Sequence, residues 1–267
     1  MPRDARILAL ANQKGGVAKT TTTLNLGVAL KDMGARVLAI DLDPQSNLSM
    51  SQGIDVEGLG HGMYHVLTGA TPIADIIDVR EIDIAPAGIE LAGAELALSA
   101  AIGRERSLER ALRPVRDLYD YILLDTPPSL GLLTINAMVA AEGVIVPVQC
   151  EYLSLRGLAQ LRGTLQQVRE NLNPAVDIVG ILPTMYDGRT VHCREAVQML
   201  EESFGDRVYR TRIGKTIRFA EAPVEGTSVI RYEPQGQAAR WYRQLAREVA
   251  ASPVGVALPG GLREAAA

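Results

Sequence analysis

The 267-residue chain has only two cysteines, Cys150 and Cys193, and they lie far apart. That excludes a disulfide framework or a CxxC metal pattern and fits a reducing cytosol. Long apolar runs are lacking too. No uninterrupted stretch approaches the roughly 20 residues of a membrane-spanning helix. The first apolar run, Ile7 to Ala11, is too short for a signal peptide. Neither sign of charge dominates. With 27 basic and 31 acidic residues the net charge is −4, which argues against a wholesale nucleic-acid coat. Lysine is scarce, four against 23 arginines, yet two of the four, Lys14 and Lys19, share one loop.

What is present suffices for a sizeable core, since 47% of residues are hydrophobic and 22% charged. Short apolar runs at Ile7–Ala11, Val37–Ile40, Ile82–Ala85, Tyr121–Leu124, Val144–Val148 and Ile178–Leu182 read as strands. They are continuous rather than alternating, as in a parallel sheet covered on both faces. Helical patterns fall between and after them, at Thr20–Met33, Glu90–Ile102, Leu132–Ala141, Leu155–Leu172, Arg194–Phe204 and Gln237–Ala251. This rhythm predicts a doubly wound α/β fold with a mostly parallel sheet and helices on both faces. A single domain over residues 1–252 is expected, followed by a flexible Pro- and Gly-rich tail over 253–267.

The first strand runs into Asn12-Gln13-Lys14-Gly15-Gly16-Val17-Ala18-Lys19-Thr20-Thr21 and then a helix. An α/β fold binds phosphates at such a junction, where backbone N–H groups and the helix amino terminus face an anion. Lys19 is placed to reach the β- and γ-phosphates and Thr20 to ligate Mg²⁺. The standard G-x-x-x-x-G-K-[ST] spacing is not met, because Gln13 and Ala18 occupy the two glycine positions. Two further strands end in carboxylates, at Asp41-Leu42-Asp43-Pro44 and at Asp125-Thr126-Pro127-Pro128. Acids at the carboxyl ends of parallel strands face the ligand crevice. One can hold the hydration shell of Mg²⁺ and another can orient an attacking water.

Lys14-Gly15-Gly16-Val17-Ala18-Lys19-Thr20-Thr21 resembles the deviant Walker A loop of the ParA/Soj and MinD ATPases, whose extra first lysine is the signature. The likeness runs from Ile7 to about Val249. It includes Asp41–Gln45, Asp125–Ser129, Pro147–Tyr152, Thr184–Thr190 and Arg218–Pro223, and the last four resemble the partition branch in particular. The resemblance implies a P-loop fold and a weakly active, cytoplasmic, nucleoid-associated ATPase that uses ATP and Mg²⁺. Two ATP-bound subunits would form a sandwich homodimer in which Lys14 reaches the partner's ATP, Asp43 orients the hydrolytic water and Asp125 holds Mg²⁺ through water. Asp187 would join Gly15, Gly16, Val17, Ala18, Lys19, Thr20 and Thr21 in binding the nucleotide. The ATP dimer would bind non-specific DNA through Arg189, Lys215 and Arg218, and a ParB/Spo0J-like partner would stimulate hydrolysis and release.

Charge placement agrees with that surface. Arg189 to Arg247 holds eleven basic and seven acidic residues, and Arg207–Arg218 holds five basic residues and no acid. Ile213-Gly214-Lys215-Thr216 departs from the family's Pro-Arg-Asn segment near the adenine. No basic helix-turn-helix extension precedes the first strand, so the short form is expected, without operator-specific repression. A MinD-like membrane ATPase shares the loop, but Pro253, Gly255, Pro259, Gly260 and Gly261 would break the amphipathic carboxyl-terminal helix it needs, so no stable membrane association is expected. A nitrogenase-reductase-like protein needs cysteines at positions that Cys150 and Cys193 do not match. A nucleotide-binding adaptor with incidental hydrolysis is the third reading. His61 and His65 are expected in surface or core roles, Cys150 as a buried thiol, and Trp241 as an anchor for the last helix.

Overall fold

A computed structural model describes residues 5–151 and 154–252. The expected tail over 253–267 lies outside these residues. Seven strands form one sheet: β1 (Arg6–Leu10), β2 (Val37–Asp41), β3 (Asp78–Val79), β4 (Asp83–Ala85), β5 (Tyr121–Asp125), β6 (Gly143–Gln149) and β7 (Asp177–Thr184). Their order is β3-β4-β2-β5-β1-β6-β7, all parallel except the β3–β4 pair. The helices are α1 (Lys19–Asp32), α2 (Asn47–Met50), α3 (Met63–Leu67), α4 (Ala94–Ala97), α5 (Ser107–Leu112), α6 (Leu132–Ala140), α7 (Ser154–Asn171), α8 (Val191–Phe204), α9 (Arg218–Val224), α10 (Val229–Tyr232) and α11 (Gln237–Ala251).

The continuous apolar runs have a direct cause. Along β1, Ile7 and Ala9 enter the core on one side of the sheet while Leu8 and Leu10 enter the core on the other. Residues of α3, α5, α6 and α7 build the first core, and residues of α1, α10 and α11 build the second. Helix α1 is buried along most of its length, from Thr22 to Leu30. At Gly27 a Cβ would come within 2.7 Å of Ile82 Cδ1, so a glycine there lets the helix lie close on the sheet.

All six sequence-read strands are present, and the helix over Gln237–Ala251 has the boundaries read from the sequence. The helix expected over Glu90–Ile102 is not continuous. A 3₁₀ turn over Ile89–Gly93 leads into the single turn of α4. Gly88 and Gly93 punctuate this stretch. Only Leu91, Ala94 and Leu98 are buried, while Ile89, Leu96 and Ile102 are exposed, so no unbroken core-facing stripe supports a long helix. The short helices α2, α3, α5, α9 and α10 are only four to seven residues long, too short to show a period in sequence.

Candidate nucleotide site and basic edge

The loop between β1 and α1 is pinned at its start by one amide. Asn12 Nδ2 donates to the Pro147 carbonyl at 2.7 Å, and Asn12 Oδ1 accepts the Lys14 N–H at 3.0 Å. Further along, the Thr184 hydroxyl donates to the Val17 carbonyl at 3.1 Å. Gly16 (φ 71°) and Ala18 (φ 70°) both adopt the left-handed conformation. Ala18 therefore takes the backbone geometry of the usual glycine at a cost of roughly 1–2 kcal/mol. No side chain caps α1, so its first N–H groups remain for an anion.

Three carboxylates and one ammonium converge beneath this loop. Asp41 and Asp125 are register partners on β2 and β5, and both are fully buried. Burial raises the Asp125 pKa, with Asp41 adding to the rise, while the Thr20 hydroxyl and Lys19 oppose it. Burial likewise raises Asp41, against hydrogen bonds from Ser49. Lys19 is buried and shifted downward by desolvation, with Asp125 and Asp43 pulling it back. Asp125 Oδ1 accepts from Thr23 Oγ1 at 3.2 Å, but Oδ2 is buried without a hydrogen-bond partner. An orphaned carboxylate oxygen near a threonine hydroxyl suits hydrated Mg²⁺, which carries the hard-cation chemistry this donor set prefers. The residues present thus fit the metal the sequence implies.

Asp43 lies on the turn after β2. Its N–H donates to Asp41 Oδ1 at 3.1 Å, and its Oδ1 accepts the Gln45 N–H at 3.0 Å. Asp43 also lines a cavity of about 510 Å³ together with Lys19 and Thr20. The far wall of that cavity comes from Met185 and from Phe219 and Pro223 of α9. Sequence reasoning did not single out this apolar wall, because only the fold brings residues 185 and 219 to the loop. Lys14 pairs with Glu151 of the same chain at 3.1 Å.

Of the expected DNA-binding residues, Arg189 and Lys215 line one cavity and Arg218 opens α9. Arg189 is almost fully exposed and pairs with Asp187 at 2.7 Å. That contact pulls the Asp187 pKa down to about 2. Asp187, expected with the nucleotide, is not among the residues lining the 510 Å³ cavity. It lines a second cavity, of about 660 Å³, with Arg189 and Lys215. Arg218 opens α9 and pairs with Glu221 at 2.6 Å and Glu233 at 3.6 Å. Arg207, counted in the basic run, is tied to Asp177 at 3.0 Å and the Ile178 carbonyl at 2.6 Å, so it serves the β7 end rather than the edge. Trp241, on α11, packs against the core and also lines the second cavity. Cys150 is buried, which pushes its thiol up to about 12. His61 meets the Thr71 hydroxyl at 3.0 Å, and His65 Nδ1 accepts the Gly62 N–H at 3.3 Å.

Residues 5–178 match the family model described as an AAA domain. The chain is similar to the sporulation initiation inhibitor protein Soj of Bacillus subtilis, at 46% identity over 92% of this chain and 99% of that protein. It is 44% identical to the chromosome partitioning protein ParA of Caulobacter vibrioides, over 91% of this chain and 93% of that one. Among solved structures it superposes on cobyrinic acid a,c-diamide synthase from Mycobacterium smegmatis with bound ADP and magnesium. There the TM-score is 0.82 and the identity 39%, covering 92% and 94% of the two chains.

Proposed function

The chain belongs to the Soj/ParA family of partition ATPases, and on that premise we propose that it is an ATP-driven DNA-segregation switch. Lys19 and the amino terminus of α1 hold the phosphates. Thr20 and Asp125 hold Mg²⁺, which when bound offsets charge on the phosphate oxygens. Asp43, fixed by its two backbone hydrogen bonds, orients the water that attacks the γ-phosphate. Lys14 leaves Glu151 and reaches the nucleotide of a second copy, placing a cation where charge builds in the transition state.

The observation that carries this reading is the position of α9. Its first residue is Arg218, a proposed DNA contact, while Phe219 and Pro223 line the nucleotide cavity. One short helix therefore touches both the nucleotide and the DNA-facing surface. A change in the cavity on ATP binding or hydrolysis has a direct mechanical route to Arg218. Release follows hydrolysis, which a ParB/Spo0J-like partner accelerates.

The test is binding of the Asp43→Ala protein to random-sequence duplex DNA at fixed salt, first with ATP–Mg²⁺ and then with ADP. Tight binding with ATP alone, weakening steeply as salt rises, is the expected result. Equal binding in both nucleotide states, or none, would overturn the switch.

A further inference from the structure

The second cavity contains Arg189 and Lys215, proposed above for DNA, but nothing above uses its Arg210 or Trp241. It measures about 660 Å³ and shares no lining residue with the cavity over the phosphate loop. That volume falls within the range of small-molecule sites. Arg189, Arg210, Arg212 and Lys215 line it, against one acid, Asp187. Asp187 is already paired with Arg189, and Arg212 is engaged by Glu201 at 3.0 Å and by the Tyr186 hydroxyl at 3.1 Å. Among the described residues no carboxylate lies at salt-bridge distance from the Arg210 guanidinium or the Lys215 ammonium.

The only tryptophan of the chain, Trp241, stands among these cations. Its ring lies so close to Gly214 that a Cβ there would sit 2.5 Å from Cη2. The missing side chain at Gly214 is what admits the indole to the wall. An aromatic face beside cations without partners offers two complementary contacts, stacking for a base and charge-assisted hydrogen bonds for phosphate.

We propose that this cavity is a second nucleotide site, which takes a free nucleoside di- or triphosphate with its base on Trp241 and its phosphates between Arg210 and Lys215. Duplex DNA keeps its bases stacked inside and presents only phosphates, so it would leave the indole without a partner. A free nucleotide uses both halves of the cavity. The proposal stands apart from the roles given above to Lys14 and Asp43, and it makes free nucleotide and DNA competitors for Lys215.

Because Trp241 is the sole tryptophan and lines this cavity, its fluorescence reports on binding there. In the full chain carrying Lys19→Ala, which removes the phosphate contact of the first site, GDP should quench that fluorescence saturably. Adding Arg210→Glu should weaken the GDP affinity about tenfold, and Arg210→Ala should weaken it less. Calorimetry of the wild-type chain, which needs no variant to fold, should count two ADP per chain. The proposal is overturned by absent quenching, by quenching that Arg210→Glu leaves unchanged, or by one ADP per wild-type chain. Quenching by a short single-stranded oligonucleotide but not by GDP would also overturn it, and would assign the cavity to nucleic acid.

Discussion

Lys14 Nζ and Glu151 Oε2 stand 3.1 Å apart within one chain, so the signature lysine is tethered to a carboxylate of its own subunit. Both side chains are substantially exposed, at 38% and 53%, and a pair of that kind is worth about 0–1 kcal/mol. A second copy bearing ATP can therefore compete for the lysine. Lys14→Ala should keep its nucleotide affinity but lose ATP-dependent dimerisation or hydrolysis. Light scattering and phosphate release read both, and a wild-type mass with a wild-type rate would remove Lys14 from the trans role. Glu151→Gln should shift the dimerisation midpoint by no more than about fivefold, given the small worth of the tether.

Lys19 is a different kind of cation, since it is buried against Asp125 and Asp43. Lys19→Ala should lower nucleotide affinity at least about 100-fold, in line with the ~2–5 kcal/mol lost when one partner of a buried charged contact is truncated. Calorimetry with ADP–Mg²⁺ at the first site gives the answer, and unchanged affinity would refute the phosphate site.

The raised pKa values of Asp41 and Asp125 make stability depend on pH in a predictable direction. Above the ordinary carboxylate value of 3.8 the unfolded chain sheds protons that the folded chain still holds. Stability of the nucleotide-free protein from these two groups should therefore fall as pH rises from that range toward neutrality. Asp125→Asn should flatten the slope, and Mg²⁺-nucleotide should reverse it by favouring the ionised carboxylate. Thermal melts across pH 5 to 8 test the sign, and a midpoint that climbs through that range without nucleotide would contradict it.

Ala18 pays for its left-handed backbone, so Ala18→Gly should stabilise the fold. Relief of ~1–2 kcal/mol of strain is partly offset by ~0.4–1 kcal/mol of extra chain entropy in the unfolded state. The net gain of roughly 0.5–1 kcal/mol should raise Tm by about 1–3 °C. A lower Tm would mean that the Ala18 methyl group packs better than its φ suggests.

Arg189→Glu combined with Arg218→Glu should abolish DNA binding and leave ATP-dependent dimerisation intact. The Arg218 substitution also places a third acid beside Glu221 and Glu233. A mobility-shift titration at several salt concentrations reads both affinity and its salt slope. If DNA affinity persists at matched salt, the contact surface lies elsewhere on the chain.

The sheet was legible because β1, β2, β5 and β6 are buried on both faces, and that condition writes itself into sequence as unbroken apolar runs. The phosphate loop was legible because its residues are contiguous and its lysines scarce. What escaped were relationships across long sequence separations. The Lys14–Glu151 pair spans 137 positions, and no local pattern announces it. Met185 and Phe219 meet at the nucleotide cavity only because β7 and α9 end on the same side of the sheet. Asp187, which the resemblance puts with the nucleotide, pairs with Arg189 and lines the second cavity, a setting no local pattern shows. The break within Glu90–Ile102 was hidden by alanines and leucines with good helix propensity, which tertiary packing overrode.

The strand order has a consequence for how this protein is made. β1, near the front of the chain, finds its neighbours in β5 and β6, with Arg6 opposite Tyr121 and Leu8 opposite Gly143. As the chain leaves the ribosome at about 5–20 residues per second, the first strand must wait several seconds for a partner. Its unpaired edge and the apolar face of α1 are exposed throughout that interval. Slow translation between Val37 and Tyr121 should thus be a hazard for this fold, and chaperone dependence during synthesis should exceed that seen on refolding from denaturant.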